Sequence, residues 1–157
     1  MTCCCAGWGK NVVSSRCWLA RGREARPRWR GSSPKLQVLN TALMTAQSGR
    51  SPAEARADAD YWRRLVESCV GAHLLNTSMG SDIGVTYWRD RNREVDFVLH
   101  RGRTTVGIEV KSGRRRESLS GMEAFAKPFK PKRTLLVGGQ GISLEEFLLQ
   151  PAEYWLQ

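Results

Sequence analysis

Glu94-Val95-Asp96 and Glu109-Val110-Lys111 place three carboxylates and one ammonium in two short segments that both read as β-strands. Alternation along a strand puts Glu94, Asp96 and Val98 on one face of the first. In the second, Glu109 and Lys111 share a face while Ile108 and Val110 point the other way. A turn at Arg101-Gly102-Arg103 joins them, so a hairpin gathers the charged groups on a common sheet surface. Two carboxylates roughly 4 Å apart repel by about 4 kcal/mol at an effective dielectric of about 20. The usual remedies are a raised pKa or a bound cation. Either one is a starting point for acid–base or metal-assisted chemistry.

The elements that must position these residues follow from hydrophobic period and punctuation. Leu36, Val38 and Leu39 suggest a short strand, and Thr41 to Gln47 a short helix. Ser51-Pro52-Ala53-Glu54 has the pattern of a helix start, with Ser as N-cap, Pro at the first helical position and Glu closing a capping box. From there the spacing predicts one helix to about Asn76. Trp62, Leu65, Val66, Cys69, Val70, His73 and Leu74 form its buried stripe, and Glu67 stands at the stripe's edge. Three strands follow at Val85–Arg89, Arg93–Leu99 and Thr104–Lys111. A helix is expected over Glu117 to Phe125, stopping before Pro128. Thr134 to Val137 reads as a buried, parallel strand. Ser143 caps a last short helix, and Pro151 to Gln157 form a terminal turn.

Composition narrows the function classes. A chain of 157 residues suits one domain with a real core. No apolar run approaches the roughly 18 residues a membrane span needs. The net charge of +10 is uneven: residues 1–33 hold seven Lys/Arg against the single Glu24. The rest is only mildly basic, which weakens an argument for nucleic acid from charge alone. Residues 1–33 show no hydrophobic period and are expected to be a disordered basic leader, or non-native sequence read from an upstream start; a targeting or nucleic-acid arm is the other reading. Cys3, Cys4, Cys5, Cys17 and Cys69 match no zinc spacing. Their odd count and the missing signal-type apolar stretch point to a reducing cytoplasm.

This order, with the carboxylates so placed, resembles the PD-(D/E)XK restriction-endonuclease-like core, an α-β-β-β-α-β mixed sheet flanked by helices. Asp96 matches the aspartate of that motif and Glu109-Val110-Lys111 its Glu-x-Lys, although Val95 stands where the motif has proline. Glu67 matches the acidic residue many members carry on the first helix. Pro34-Lys35-Leu36, Leu65-Val66-Glu67, Tyr87-Trp88-Arg89, Arg93 to Phe97 and Ile108 to Ser112 extend the likeness over residues 34–157. Together they look like the domain of unknown function at the C-terminus of prokaryotic AAA-family ATP-binding proteins. The ATPase half of such proteins has no counterpart here, since no G-x-x-x-x-G-K-[ST] run exists. A truncated copy without ATPase activity of its own is therefore expected.

The resemblance implies metal-dependent phosphodiester cleavage. Asp96 and Glu109 would hold Mg²⁺ or Mn²⁺ with the Val110 carbonyl, Lys111 would act on the water or the developing charge, and Glu67 would complete the site. Arg89, Arg93 and the Arg114-Arg115-Arg116 loop would meet phosphates. The implied partners are nucleic acid and an ATPase domain or other protein, with no membrane. Plainer accounts compete: Glu109 and Lys111 as a solvated strand pair, Glu67 bridging Arg63 or Arg64, and the triple arginine as an exposed loop. A non-catalytic docking module is the rival function.

Overall fold

The computed structural model describes strand segments 12–15, 17–21 and 24–27 and residues 35–113 and 120–157. The first three strands are β1 (Val12–Ser15), β2 (Cys17–Arg21) and β3 (Glu24–Pro27). They fall within the leader read as disordered; the remainder of that leader lies outside the described residues. Next comes β4 (Lys35–Val38), which pairs antiparallel with β1 in a separate two-stranded sheet.

Three helices follow, each started by a short polar side chain. In α1 (Thr41–Ser48) the Asn40 side chain accepts the Ala42 N–H. In α2 (Pro52–Ala57) Ser51 and Glu54 make the expected reciprocal capping box. The long helix predicted from this start does not form in one piece. Asp58 takes extended backbone, ends α2 and uses its carboxylate to cap a new helix, α3 (Ala59–Ser78), at the Tyr61 N–H. An aspartate gains more by accepting an orphan N–H at a helix start than by continuing the helix, where it forms poorly.

The chain then makes β5 (Gly84–Asp90), β6 (Arg93–Arg101) and β7 (Thr104–Lys111) as an antiparallel meander. After α4 (Ser120–Phe129), β8 (Arg133–Gly138) returns parallel to β7. A short helix, α5 (Leu144–Leu148), capped by Ser143, and a 3₁₀ turn at Ala152–Leu156 close the chain. The core is thus an α/β layer structure: a four-stranded mixed sheet, β5-β6-β7-β8, flanked by helices and extended beyond β5 by β2 and β3.

Each face of the sheet has its own core. Val66, Val70 and Leu74 of α3 pack with Phe147 and Trp155 against Phe97, Leu99, Val106, Ile108 and Val110. On the other face Met122 and Phe125 of α4 meet Trp88, Val95 and Val98. The α4 helix runs through Pro128, contrary to the expected stop; residues 117–119 of that expectation lie outside the described residues. Pro128 forgoes one helical hydrogen bond. In return Phe129 stacks on Phe125 at 4.8 Å between ring centroids and meets Trp88 edge-on at 6.4 Å.

One irregularity decides where the charged side chains go. Thr86 pairs with Val98 and Trp88 with Val95, so Asp96 and Phe97 together oppose Tyr87. This bulge breaks the alternation that placed Val98 beside Glu94 and Asp96. Val98 instead joins Val95 on the α4 face, while Phe97 and Leu99 face α3. Among the described residues no helix is long and apolar enough to cross a membrane.

Candidate functional site

The pairing of β6 with β7 runs from Arg101↔Thr104 to Phe97↔Ile108. Beyond that pair the strands part. There the Asp96 carboxylate, turned by the bulge, accepts the Val110 N–H at 2.9 Å. β7 keeps its other neighbour to the end, with Lys111 opposite Gly138 of β8. Gly107 of β7 faces Met122 and Phe125, and Ile108 and Val110 face the α3 core. Strict alternation would carry Glu109 and Lys111 to the α4 side. At the parted end of the sheet both nonetheless line one pocket with Asp96.

That pocket, of about 710 Å³, is bordered by Lys35, Glu67, Glu94, Asp96, Glu109 and Lys111, with Asp60 and Arg63 from the start of α3. Five carboxylates therefore face three basic side chains, an acidic hollow in a chain of net charge +10. Of the predicted site residues, Glu67, Asp96, Glu109 and Lys111 are brought together. Arg89 and Arg93 do not line it: Arg89 reaches only its border, pairing with Glu94 at 3.4 Å, and Arg93 pairs with Asp90 at 3.5 Å. Arg114, Arg115 and Arg116 lie outside the described residues.

Sequence reasoning missed Lys35 as a site residue. Its ammonium sits 2.5 Å from Glu67, 3.3 Å from Glu94 and 3.5 Å from Asp96. It also stands 5.1 Å from the centre of the Phe97 ring. Glu67 thus bridges Lys35, whereas Arg63, one of the two arginines weighed as its partner, pairs with Asp60. A lysine at a strand start carries no period of its own. The signal that points to it is the surplus of carboxylates over cations at positions 67, 94, 96 and 109, which a buried site cannot leave uncompensated.

Burial pushes the Asp96 carboxyl above its ordinary range, and nearby Glu67 adds to this; Lys35, the Val110 N–H and Lys111 pull the other way. Glu109 is also raised, by burial and then by Asp96, against the pull of Lys111. Burial alone would lower the Lys35 ammonium, but Asp96, Glu67 and Glu94 together hold it above the usual lysine value. Glu109 meets Lys111 through one oxygen at 3.0 Å. Its other oxygen, Oε2, is buried with no hydrogen-bond partner. An orphaned carboxylate oxygen is what a hard cation would satisfy, so Asp96 and Glu109 fit such a ligand by donor chemistry. Among the described residues, no three His, Cys, Asp or Glu side chains are arranged to hold a metal by themselves.

His73, His100 and Cys69 do not line this pocket. His73 bonds the Gln150 carbonyl at 2.7 Å and meets Phe147 edge-on. His100 lies over Gly84, where an added Cβ would strike its ring. Cys69 is a free thiol, half-buried, and burial raises its pKa.

The family model described as a domain of unknown function (DUF4143) matches residues 62–151, more than half of the chain. The matched stretch contains Glu67, Asp96, Glu109 and Lys111 and leaves Lys35 outside it. No curated protein and no solved structure matches the chain.

Proposed function

The chain belongs to the DUF4143 family, and from that premise we propose that its acidic pocket is a PD-(D/E)XK nuclease-like site for metal-dependent phosphodiester hydrolysis in nucleic acid, carried as the C-terminal module of an AAA-family ATP-binding protein. The observation that carries this reading is the gathering of Asp96, Glu109 and Lys111 around one pocket with Glu109 Oε2 left unpartnered. Asp96 and Glu109 are the residues to hold Mg²⁺ or Mn²⁺. When bound, such an ion supplies positive charge to a phosphate and acidifies a water molecule.

The chain's own residues contribute the rest. Asp96 is fixed by the Val110 N–H through Oδ2, so its other oxygen, which Lys35 engages at 3.5 Å, is already directed into the pocket. Lys111, tethered by Glu109, presents an ammonium to a phosphate oxygen or to the attacking water. Glu67 stands ready to accept a proton from the water once Lys35 moves aside. Arg114, Arg115 and Arg116 follow the end of β7 in the sequence after two intervening residues and would meet the polyanionic backbone, with Arg89 and Arg93 further along the sheet.

The test is cleavage of single- and double-stranded DNA and RNA by the full chain with Mn²⁺ or Mg²⁺. The expected result is hydrolysis stopped by chelation and lowered about 100-fold or more by Asp96→Asn or Lys111→Met. No cleavage, or rates unchanged in both variants, overturns the reading. A second reading, a non-catalytic module that docks nucleic acid or protein for an ATPase partner, draws on the three ion pairs through which Lys35 already engages Glu67, Glu94 and Asp96. It is identified by salt-sensitive binding that survives those same substitutions and fails on replacing Arg114 to Arg116.

A further inference from the structure

We propose that Lys35 is an intramolecular counter-cation of this pocket, and that a divalent ion gains the Asp96 side of the site only by displacing the Lys35 ammonium. The inference rests on the cation-binding part of the reading above. It does not depend on hydrolysis.

Three contacts define the arrangement. The ammonium lies within 3.5 Å of an oxygen on each of Glu67, Glu94 and Asp96, one carboxylate from α3 and two from β6. It also donates toward the Asp96 carbonyl at 3.4 Å. A single positive charge bridging three carboxylates does the electrostatic work that a bound cation would do, and it shares the Asp96 carboxylate with the proposed ion. A +2 ion ligated by Asp96 and an ammonium on that same carboxylate repel each other, so the two states exclude one another.

The lysine is delivered by a built anchor. Gln37, two residues along β4, is buried and donates from Nε2 to the Ser68 carbonyl at 2.8 Å and the Val38 carbonyl at 2.9 Å. It fits against Gly71 of α3, where even a Cβ would stand 2.2 Å from Gln37 Oε1. This fixes the β4 backbone against α3. The flexible stem of Lys35 remains the moving part, able to withdraw its ammonium without unseating the strand. Glu109 has its own partner, Lys111, at 3.0 Å. The two halves of the pocket therefore differ: the Glu109 half has an open oxygen, and the Asp96 half is occupied by the chain itself.

Calorimetric titration of the full chain with Mn²⁺, without nucleic acid, tests this directly. Lys35→Met is expected to bind Mn²⁺ about tenfold or more tightly than the parent, whereas Lys35→Arg stays weak. Equal or weaker binding by Lys35→Met overturns the proposal, and so does the absence of binding in both. Should Lys35→Met fail to fold, footprinting of the parent chain decides. Acylation of Lys35, read by mass spectrometry against exposed Lys130 as reference, is expected to rise several-fold on adding Mn²⁺; unchanged reactivity sinks the idea. A parent chain that binds Mn²⁺ yet cuts nothing refutes the hydrolase and leaves Lys35 standing. Asp96-dependent cleavage with no gain in Mn²⁺ affinity in Lys35→Met refutes the counter-cation alone.

Discussion

The Asp96 carboxylate takes the Val110 N–H at the point where β6 and β7 cease to pair, so a side chain replaces the strand ladder there. A buried N–H without an acceptor costs about 1–3 kcal/mol. Asparagine keeps an oxygen for that bond; alanine keeps none. Asp96→Ala is therefore expected to lose about 1–3 kcal/mol relative to Asp96→Asn in urea denaturation. Equal stabilities would show that the fork holds without this contact.

The acidic pocket has a pH signature. Asp96 and Glu109 are raised above 3.8 and 4.5, mainly by burial. The folded state thus holds their protons more tightly than the unfolded chain. Their contribution is present at low pH and is lost as pH rises through the folded values. Acidification from neutral pH toward the ordinary carboxyl values of 3.8 and 4.5 should stabilise the parent chain relative to the Asp96→Asn/Glu109→Gln double variant. Lys35 acts at the other end. Its pKa is raised above 10.5, so its contribution persists below that value and disappears above it. Melting temperatures across pH check both signs, and a parent that loses ground to the double variant on acidification contradicts them.

Strand identity was legible because the meander follows the period-2 rule for most of its length: Thr104–Lys111 was read at its true limits. The grouping of Asp96, Glu109 and Lys111 was legible because charged types recur at strand positions on either side of one turn, whereas Glu67, on α3, entered only through the family resemblance. The bulge at Asp96 and Phe97 was not. It arises from how β6 is opposed by β5, a tertiary fact that leaves no mark on local spacing. Asp58 was overlooked for a different reason: the stripe from Trp62 onward looks continuous with the capping box at Ser51, and the cap between them needs only one residue. Lys35 stayed hidden since its partners lie more than thirty residues away along the chain.

Gly138 ends β8 opposite Lys111 with a φ of 77°, and a Cβ there would meet the Lys111 carbonyl oxygen at 2.1 Å. Gly139 is also left-handed, at 61°, but its nearest contact is 3.4 Å away. Left-handed backbone alone costs an alanine about 1–2 kcal/mol. Gly139→Ala should lose about that much, and Gly138→Ala about 1–3 kcal/mol more, because backbone must shift to admit the methyl. Urea denaturation of the pair tests the difference. Similar losses in both would mean that strain, rather than the collision beside Lys111, sets the cost.

Gly71 offers the sharpest reversal of a general rule. In a helix interior, Gly→Ala normally stabilises by about 1 kcal/mol. In α3 the new methyl would meet Gln37 Oε1 at 2.2 Å and Phe97 Cε1 at 2.8 Å. Evicting Gln37 breaks its bonds to Ser68 and Val38 and loosens β4, which carries Lys35. Overpacking of this kind costs about 1–3 kcal/mol before those bonds are counted. Gly71→Ala should therefore be destabilising by about 1–3 kcal/mol net, despite its better helix propensity. In a Gln37→Ala background the penalty should shrink, since only the Phe97 contact remains. A stabilising Gly71→Ala in the parent chain would mean that β4 is not seated on α3 as described, and the anchor for Lys35 would go with it.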